Sequence, residues 1–199
     1  PDYSDLRLQD GLCWTRSGHR GPATPLTLRD IAQTAHLNPL ALPAGLEPGL
    51  EATVAYDPPA MTYSNATHIC EVDVDPDTGK ITVERYLVVE DGGTLLNPQL
   101  ADGQIMGAVA LGLGGVLLEH VVYDENGQNL TASLMDYLVP TATDVPNVEI
   151  VHFNTRNHRT PAGLKGLSEG GVMGAIGAVL NAVSDALSPL GITVSHQPL

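Results

Sequence analysis

The stretch Gly163-Leu164-Lys165-Gly166-Leu167-Ser168-Glu169-Gly170-Gly171 decides the fold of the region around it. Its glycines permit positive φ and a close approach of a ligand or another chain segment. Residues 172–187 then place apolar side chains at a helical period, which predicts a buried helix over 171–187. Glu169 lies at the predicted N-terminus of this helix, where backbone N–H groups favour a carboxylate. A helix-capping role and a chemical role are both open for Glu169 on this pattern.

The composition indicates a soluble, acidic protein with enough length for one large domain or two small ones. The chain has 199 residues, 43% of them hydrophobic, and a formal net charge of −14. Such a charge argues against a nucleic-acid partner and against an anionic membrane surface. Cys13 and Cys70 indicate neither a disulfide framework nor a metal site, which fits a cytoplasmic location. Because the sequence starts at Pro1 and shows no signal peptide, we expect a piece of a longer protein.

The order of apolar and turn residues predicts an α+β fold, in which a hairpin-rich mixed sheet is packed by glycine-rich buried helices. Residues 1–60 are interpreted as a leading hairpin, a short helix and a proline-rich connection. Residues 61–199 are interpreted as one subdomain, in which alternating apolar residues predict hairpins at 69–89 and 119–133.

A second buried helix is predicted at 99–118, because Asn97-Pro98 is typical of a helix start and an apolar, glycine-containing run follows. We expect about 60% or more of residues 105–117 to be buried. The uninterrupted apolar run is 14 residues, shorter than the roughly 18 that a bilayer span needs. Gln104 is the polar exception in the first turns, and it needs hydrogen-bond partners or a ligand.

One short pattern points to calcium binding, but it lacks a required feature. Asp73, Asp75, Asp77 and Glu84 match acidic positions of a calcium loop, but Thr78 occupies the position of its glycine. The histidines are scattered without metal-ligand spacing, so a histidine metal site is not expected either.

A serine hydrolase is the alternative that the glycine loop itself suggests. Residues 166–170 match the G-x-S-x-G nucleophile pattern around Ser168, and Asp185 and His196 follow in a suitable order. That pattern requires a strand directly before the serine, whereas 159–163 contains Pro161 and does not read as a strand. The hydrolase reading is therefore disfavoured.

Several motifs occur together in an order and spacing typical of one protein family. They are Asp91-Gly92-Gly93, Asn97-Pro98, Gly103-Gln104 with Gly107, Met135-Asp136-Tyr137-Leu138-Val139-Pro140-Thr141, Lys165-Gly166-Leu167-Ser168-Glu169-Gly170-Gly171 and Asn181-Ala182-Val183-Ser184-Asp185-Ala186-Leu187. The chain resembles the molybdenum-binding large subunit of the xanthine dehydrogenase/aldehyde oxidase family, most nearly the aerobic carbon monoxide dehydrogenase large subunits. The resemblance covers about the C-terminal quarter of such a subunit, the C-terminal portion of its molybdenum-cofactor-binding domain. It departs from the family at Gly92, where a cysteine is common, and at Ser168, where a glycine is common.

The resemblance implies a molybdenum hydroxylase that inserts oxygen from water into an aldehyde, an N-heterocycle or a similar small substrate. It implies that Glu169 is the base of this reaction. It also implies that Gln104, Lys165 and Gly166 contact the pterin cofactor, expected in the molybdopterin cytosine dinucleotide form. The pterin holds the metal in this family, so no protein metal ligand is expected.

The resemblance also implies partners. These are an FAD-binding subunit, an iron–sulfur subunit with 2Fe-2S clusters and the remainder of the large subunit, with a homodimer as a further option. We expect the 199-residue chain alone to hold no molybdenum and to be inactive. The alternative outside enzymology is an isolated fragment or assembly module without activity of its own.

Overall fold

The computed structural model describes residues 6–15, 25–57 and 61–199. The chain divides into two compact units, Pro1–Asp57 and Pro58–Leu199. The predicted site residues all belong to the second unit.

The first unit contains a small antiparallel sheet and one helix. Thr27 and Asp30 begin this helix with a reciprocal capping box, in which each side chain accepts the backbone N–H of the other residue. The elements are β1 (Leu6–Gln9), β2 (Leu12–Thr15), β3 (Leu26–Thr27), α1 (Leu28–Leu37) and a 3-10 turn at Pro39–Ala41. The strand order is β1-β2-β3, and all pairings are antiparallel.

The second unit is a three-stranded mixed sheet with two long helices. Its first two strands pair antiparallel and occupy the region of the hairpin expected at 69–89, and the third strand is parallel to the second. The elements are β4 (Asn65–Val74), β5 (Ile81–Asp91), α2 (Pro98–Leu117), β6 (Val148–His152) and α3 (Gly170–Leu187), with 3-10 turns at Pro161–Gly163 and Ser188–Leu190.

Both long helices pack on one face of this sheet and form the core with it. The helices approach closely, because a Cβ added at Gly112 of α2 would lie 2.5 Å from the Cβ of Ala175 in α3. The core side chains are Tyr86, Val88, Ile105, Val109, Leu113, Val116, Val148, Ala175, Val179 and Val183. By length and composition α2 and α3 resemble membrane spans, but here they are the helices that cover the sheet.

Burial along α2 is slightly lower than we expected. Seven of the thirteen residues in 105–117 are buried, whereas Met106 and Leu111 are 44% and 58% exposed. From Ile105 onward the helix is apolar all round, so its outer face stays apolar even though only the inner face contacts α3 and the sheet.

The hairpin predicted at 119–133 is wrong, because this segment contains one isolated bridge, Tyr123↔Asn129, and no strand. Two backbone hydrogen bonds flank this bridge, from the Asp124 N–H to Gln128 and from the Leu130 N–H to Val122, and beside them side chains take the bonds that a longer ladder would use. The Val122 N–H donates to the Thr131 hydroxyl, and Asp124 accepts two backbone N–H groups within its own turn. The mixed α and β composition is confirmed, whereas the sheet has fewer hairpins than predicted.

Candidate active site

Glu169 lies where the glycine loop meets α3. Its backbone takes φ −117° and ψ −2°, and its side chain makes no capping hydrogen bond to the helix. Side-chain capping normally uses an extended N-cap backbone, which places the acceptor over the free N–H groups. Glu169 is therefore the N-cap residue of α3 by position, as predicted, but its side chain does not cap the helix, and the exposed carboxylate is available to a ligand.

The Glu169 pocket is a cavity of about 400 Å³. Residues 62–64, which lead into β4, line it together with Gly166, Ser168 and Glu169 of the loop. Tyr63 and Met173 also line it and are 70% and 77% exposed. The pocket thus combines one carboxylate with aromatic and thioether surface, a combination typical of small-molecule sites.

Gln104 reaches the same loop from α2. Its Nε2 donates to the carbonyl oxygen of Ser168 over 2.7 Å, across 64 positions of sequence. Gln104 also lines a groove of about 280 Å³ together with Lys165 and Leu167. The polar exception of α2 therefore fixes the backbone directly before Glu169.

The loop separates the four predicted site residues into two pairs. Gly166 and Glu169 line the Glu169 pocket, whereas Gln104 and Lys165 line the groove. The structure thus brings all four to one loop, but not to one cavity.

Lys165 is engaged by an aspartate at the end of β5. The Lys165 Nζ lies 2.9 Å from Asp91 Oδ2, and the two side chains are 10% and 16% exposed. Asp91 Oδ1 also accepts the N–H groups of Gly93 and Thr155, at 3.0 and 3.1 Å. We call Asp91, Gly93, Thr155 and Lys165 the Asp91 clamp.

The clamp holds Asp91 in its ionised form. Burial opposes ionisation, but the hydrogen bonds from Lys165, Gly93 and Thr155 outweigh it and lower the pKa of Asp91 to about 2. Lys165 therefore has a structural role that the sequence prediction did not include.

Gly93 allows the two loops of the clamp to touch. It has φ +69°, and a Cβ there would lie 2.6 Å from the carbonyl oxygen of Gly163. The Thr94 N–H donates to that same oxygen over 3.1 Å, and the Lys165 N–H donates to Gly92 over 3.2 Å. The Asp-Gly-Gly motif thus supports the glycine loop directly.

The serine hydrolase reading is wrong for this loop. A 3-10 turn at Pro161–Gly163 and an extended Leu164 precede Ser168, where a nucleophile elbow needs a strand. The Nδ1 atom of His196 lies 3.4 Å from the Ser195 hydroxyl oxygen, and Asp185 lies within α3. In the described part of the chain no hydrogen bond joins Ser168 to His196.

The structure also shows a group that the sequence analysis missed. The four buried side-chain atoms without a hydrogen-bond partner among the described residues are His68 Nε2, Glu90 Oε1 and Oε2, and His152 Nδ1. These residues lie with Tyr86 on the helix-facing side of the sheet, and we call the four side chains the polar floor. Glu90 could have been found from its inward position in the alternation Tyr86, Val88, Glu90 of β5.

Within residues 6–15, 25–57 and 61–199, no group of three or more His, Cys, Asp or Glu side chains is placed to hold a metal ion. The calcium-like acids belong to β4, β5 and their connecting turn, where Asp75 accepts the Asp77 N–H over 2.9 Å. Asp75 therefore serves a hairpin turn.

Comparison with known proteins identifies the family. Residues 2–146 match the molybdopterin cofactor-binding domain. The chain belongs to this family. It is 40% identical over 98% of its length to the nicotine 6-hydroxylase large subunit of Paenarthrobacter nicotinovorans, and covers 23% of that protein. It is 40% identical over 86% of its length to the carbon monoxide dehydrogenase large chain of Hydrogenophaga pseudoflava, and covers 21% of it.

A solved structure agrees in fold with this domain. Quinoline 2-oxidoreductase from Pseudomonas putida 86 matches 98% of the chain with a TM-score of 0.82 and 37% identity, and the match covers 24% of that protein chain. The chain thus spans about a quarter of the length of these relatives. The resemblance to molybdenum-binding large subunits, drawn from the sequence motifs, is confirmed.

The loop fits a pterin cofactor by its hydrogen-bonding capacity. Among the described residues, the backbone N–H groups of Gly166, Leu167 and Ser168 donate to no protein acceptor. Adjacent free N–H groups in a glycine-rich turn bind the polar edges and phosphates of cofactors. Gln104 adds an amide next to this turn.

Proposed function

We propose that this domain supplies the proton-accepting side of the active site in a molybdenum hydroxylase. One observation carries the proposal: the Glu169 carboxylate, without a helix-capping bond, lines a pocket beside a loop that Gln104 fixes. A base must reach the proton that it removes, and a carboxylate held by no capping bond can do so.

The cofactor, when bound, supplies the two-electron oxidation and the transfer of a water-derived oxygen to carbon. The residues of this chain have narrower tasks. Glu169 accepts the proton released as water is activated, and the N–H groups of 166–168 with Gln104 hold the polar edge of the pterin. The substrate class is an aldehyde, an N-heterocycle or a similar small molecule, and Tyr63 and Met173 offer it apolar surface.

The partners and the location follow from the same proposal. Relatives carry the names large subunit, large chain and, for 6-hydroxypseudooxynicotine dehydrogenase, subunit gamma. We place the cytosine dinucleotide form of the cofactor here, with FAD and 2Fe-2S clusters on partner subunits and the complex in the cytoplasm. Electrons then leave the substrate in pairs and pass singly through the iron–sulfur clusters to flavin.

The test is Glu169→Gln in the complete enzyme with its cofactor. Gln keeps the shape and the hydrogen-bonding capacity but cannot take up a proton, so kcat should fall by about 10²–10⁴-fold. Glu125→Gln, on an exposed turn, is the matched control and should leave kcat unchanged. The measurements are kcat with an aldehyde or N-heterocyclic substrate, molybdenum content and melting temperature.

Near-normal turnover of Glu169→Gln at full molybdenum content would end the catalytic assignment. A complete wild-type protein that binds no molybdenum would favour the assembly-module alternative instead.

A further inference from the structure

Glu90 is the central residue of the polar floor. Its side chain is fully buried, and neither carboxyl oxygen has a hydrogen-bond partner among the described residues. A buried carboxyl without partners is costly and is retained mainly where it has a task.

Glu90 lies directly below the start of α3. A Cβ added at Gly170 would be 2.7 Å from Glu90 Oε1 and 2.9 Å from the Ser64 Oγ. The Ser64 hydroxyl and the Glu90 carboxyl are therefore neighbours under the residue that follows Glu169. Ser64 also lines the Glu169 pocket, so its side chain belongs both to the pocket and to the surroundings of the buried acid.

A path toward solvent continues from Glu90 on its other side. Glu90 and His152 are register partners in the parallel pair β5–β6, and both side chains point to the helices. His152 Nδ1 is buried and unpartnered within the described chain, whereas its Nε2 lies 2.6 Å from Asp102 Oδ1 on α2. The side chains of His152 and Asp102 are 18% and 46% exposed, so Asp102 reaches the surface.

The proposed reaction requires such a path. Hydroxylation with water breaks one C–H bond and forms one C–O bond; two electrons go to the iron–sulfur and flavin partners, and two protons must leave. We propose that Glu90 carries a proton from the Glu169 pocket to solvent, receiving it through Ser64 and passing it through His152 to Asp102. This inference rests on the proposed function.

The proton balance is simple at each residue. Ser64 accepts a proton on its oxygen as it donates its own to Glu90, which becomes neutral. His152 accepts this proton at Nδ1 and releases the Nε2 proton to Asp102, which loses it to water. After the transfer every carrier has its starting number of protons, and Glu90 is ionised again. The imidazole of His152 then carries its proton on Nδ1 and regains its first tautomer before the next transfer.

The charged groups around Glu90 suit a residue that takes up and releases a proton. Burial raises the pKa of the Glu90 carboxyl, and the nearby Asp91 carboxylate adds to this, whereas Ser64 and His152 act in the opposite direction. His68 faces the same space from β4, and burial lowers the pKa of its imidazole. Glu169 stands above on the loop, and Asp102 approaches from α2. A buried acid of this kind takes up and releases a proton at a higher pH than an exposed glutamate does.

The first test is Glu90→Gln in the complete enzyme. We expect kcat to fall at least about 10-fold, less than for loss of the base itself, with a larger solvent deuterium isotope effect. Glu90→Asp keeps the carboxyl and should recover part of the rate. Glu149→Gln is the matched control, because Glu149 lies on β6 but on its solvent face, and kcat should not change.

The second test avoids the buried residue. Asp102→Asn changes a partly exposed side chain, so folding should be kept. The rate of this variant should be low in dilute buffer and should rise with the concentration of a small buffer such as imidazole, because the buffer takes the proton from His152. A purely structural role for Asp102 would give no such dependence.

A third readout does not use activity. Infrared spectra recorded at rising pH should show a protonated carboxyl band that persists above the ordinary Glu pKa of about 4.3 and is absent in Glu90→Gln. A complete enzyme without hydroxylase activity overturns both proposals. An active enzyme that lacks this band, or whose folded Glu90→Gln variant has normal kcat and isotope effect, overturns the proton path alone.

Discussion

Two adjacent carboxylates at the end of β5 are treated in opposite ways by the fold. Asp91 accepts three hydrogen bonds, and one of them comes from Lys165, with which it forms an ion pair. Glu90, one residue earlier, is more deeply buried and has no hydrogen-bond partner in the described part of the chain. Because successive strand residues point to opposite sides, one carboxylate reaches the clamp and the other the polar floor.

The difference shows that the end of β5 places two acids with different tasks beside the glycine loop. The Asp91 clamp fixes the position of the glycine loop through Lys165. A carboxylate that accepts strong hydrogen bonds suits such a rigid support. The unsatisfied carboxyl below Gly170 contributes nothing comparable to rigidity. We therefore expect substitutions of the two acids to differ in stability, in pH dependence and in turnover.

Asp91→Asn should give the largest loss of stability, since it leaves the Lys165 ammonium without its partner. We expect a loss of about 2–3 kcal/mol at neutral pH, less than the ~3–5 kcal/mol of fully buried pairs because solvent reaches part of both side chains. The contribution of Asp91 is present above its unfolded pKa and is lost as the pH falls through about 2. The difference between variant and wild type in urea unfolding should therefore shrink on acidification. An unchanged free energy of unfolding at neutral pH would contradict the clamp.

The sequence alone predicted the elements that support the site. Both long helices were predicted to within one residue at each end. The signals were local, namely the helix start at Asn97-Pro98 and the periodic run of small residues after Gly170. Gln104 was also found locally, as the one polar residue in an apolar run, and it indeed contacts the loop.

The pairs that join distant segments could not be predicted in this way. Lys165 and Asp91 are 74 positions apart, and His152 and Asp102 are 50 apart, so only the packed sheet and helices bring them together. The absence of a side-chain cap at Glu169 depends on the backbone angles of one residue. The hairpin expected at 119–133 is limited to one bridge, because side-chain hydrogen bonds of Thr131 and Asp124 take the place of further ladder bonds.

Glu90→Gln should have a smaller and opposite effect on stability. Because burial raises the folded pKa of Glu90, the wild type is favoured below the ordinary pKa and loses stability as the pH rises toward the folded value. Gln does not titrate, so its stability relative to wild type should improve by at most ~1.4 kcal/mol per pH unit in this window. Chemical denaturation at several pH values between about 4 and 7 measures this. A relative stability that falls with pH would contradict an unsatisfied buried carboxyl.

Glu149→Gln should have the smallest effect on stability. It tests whether the depth of burial or the charge alone determines how much an acid such as Asp91 contributes. Glu149 makes a two-point ion pair with Arg85 on the solvent face of the sheet, at 2.6 and 3.0 Å. The hydrogen-bond geometry is as good as in the Asp91 clamp, but the side chains of Arg85 and Glu149 are 53% and 45% exposed. Water and salt therefore compete for both charges. We expect the melting temperature to change by less than about 2 °C, and by less still at high salt.

A double-mutant cycle with Arg85→Gln measures the coupling between the two side chains. If this exposed pair proved as strongly coupled as Asp91 and Lys165, hydrogen-bond geometry rather than burial would explain the clamp. Weak coupling here, with a large loss at Asp91, would assign the difference to the environment at the end of β5.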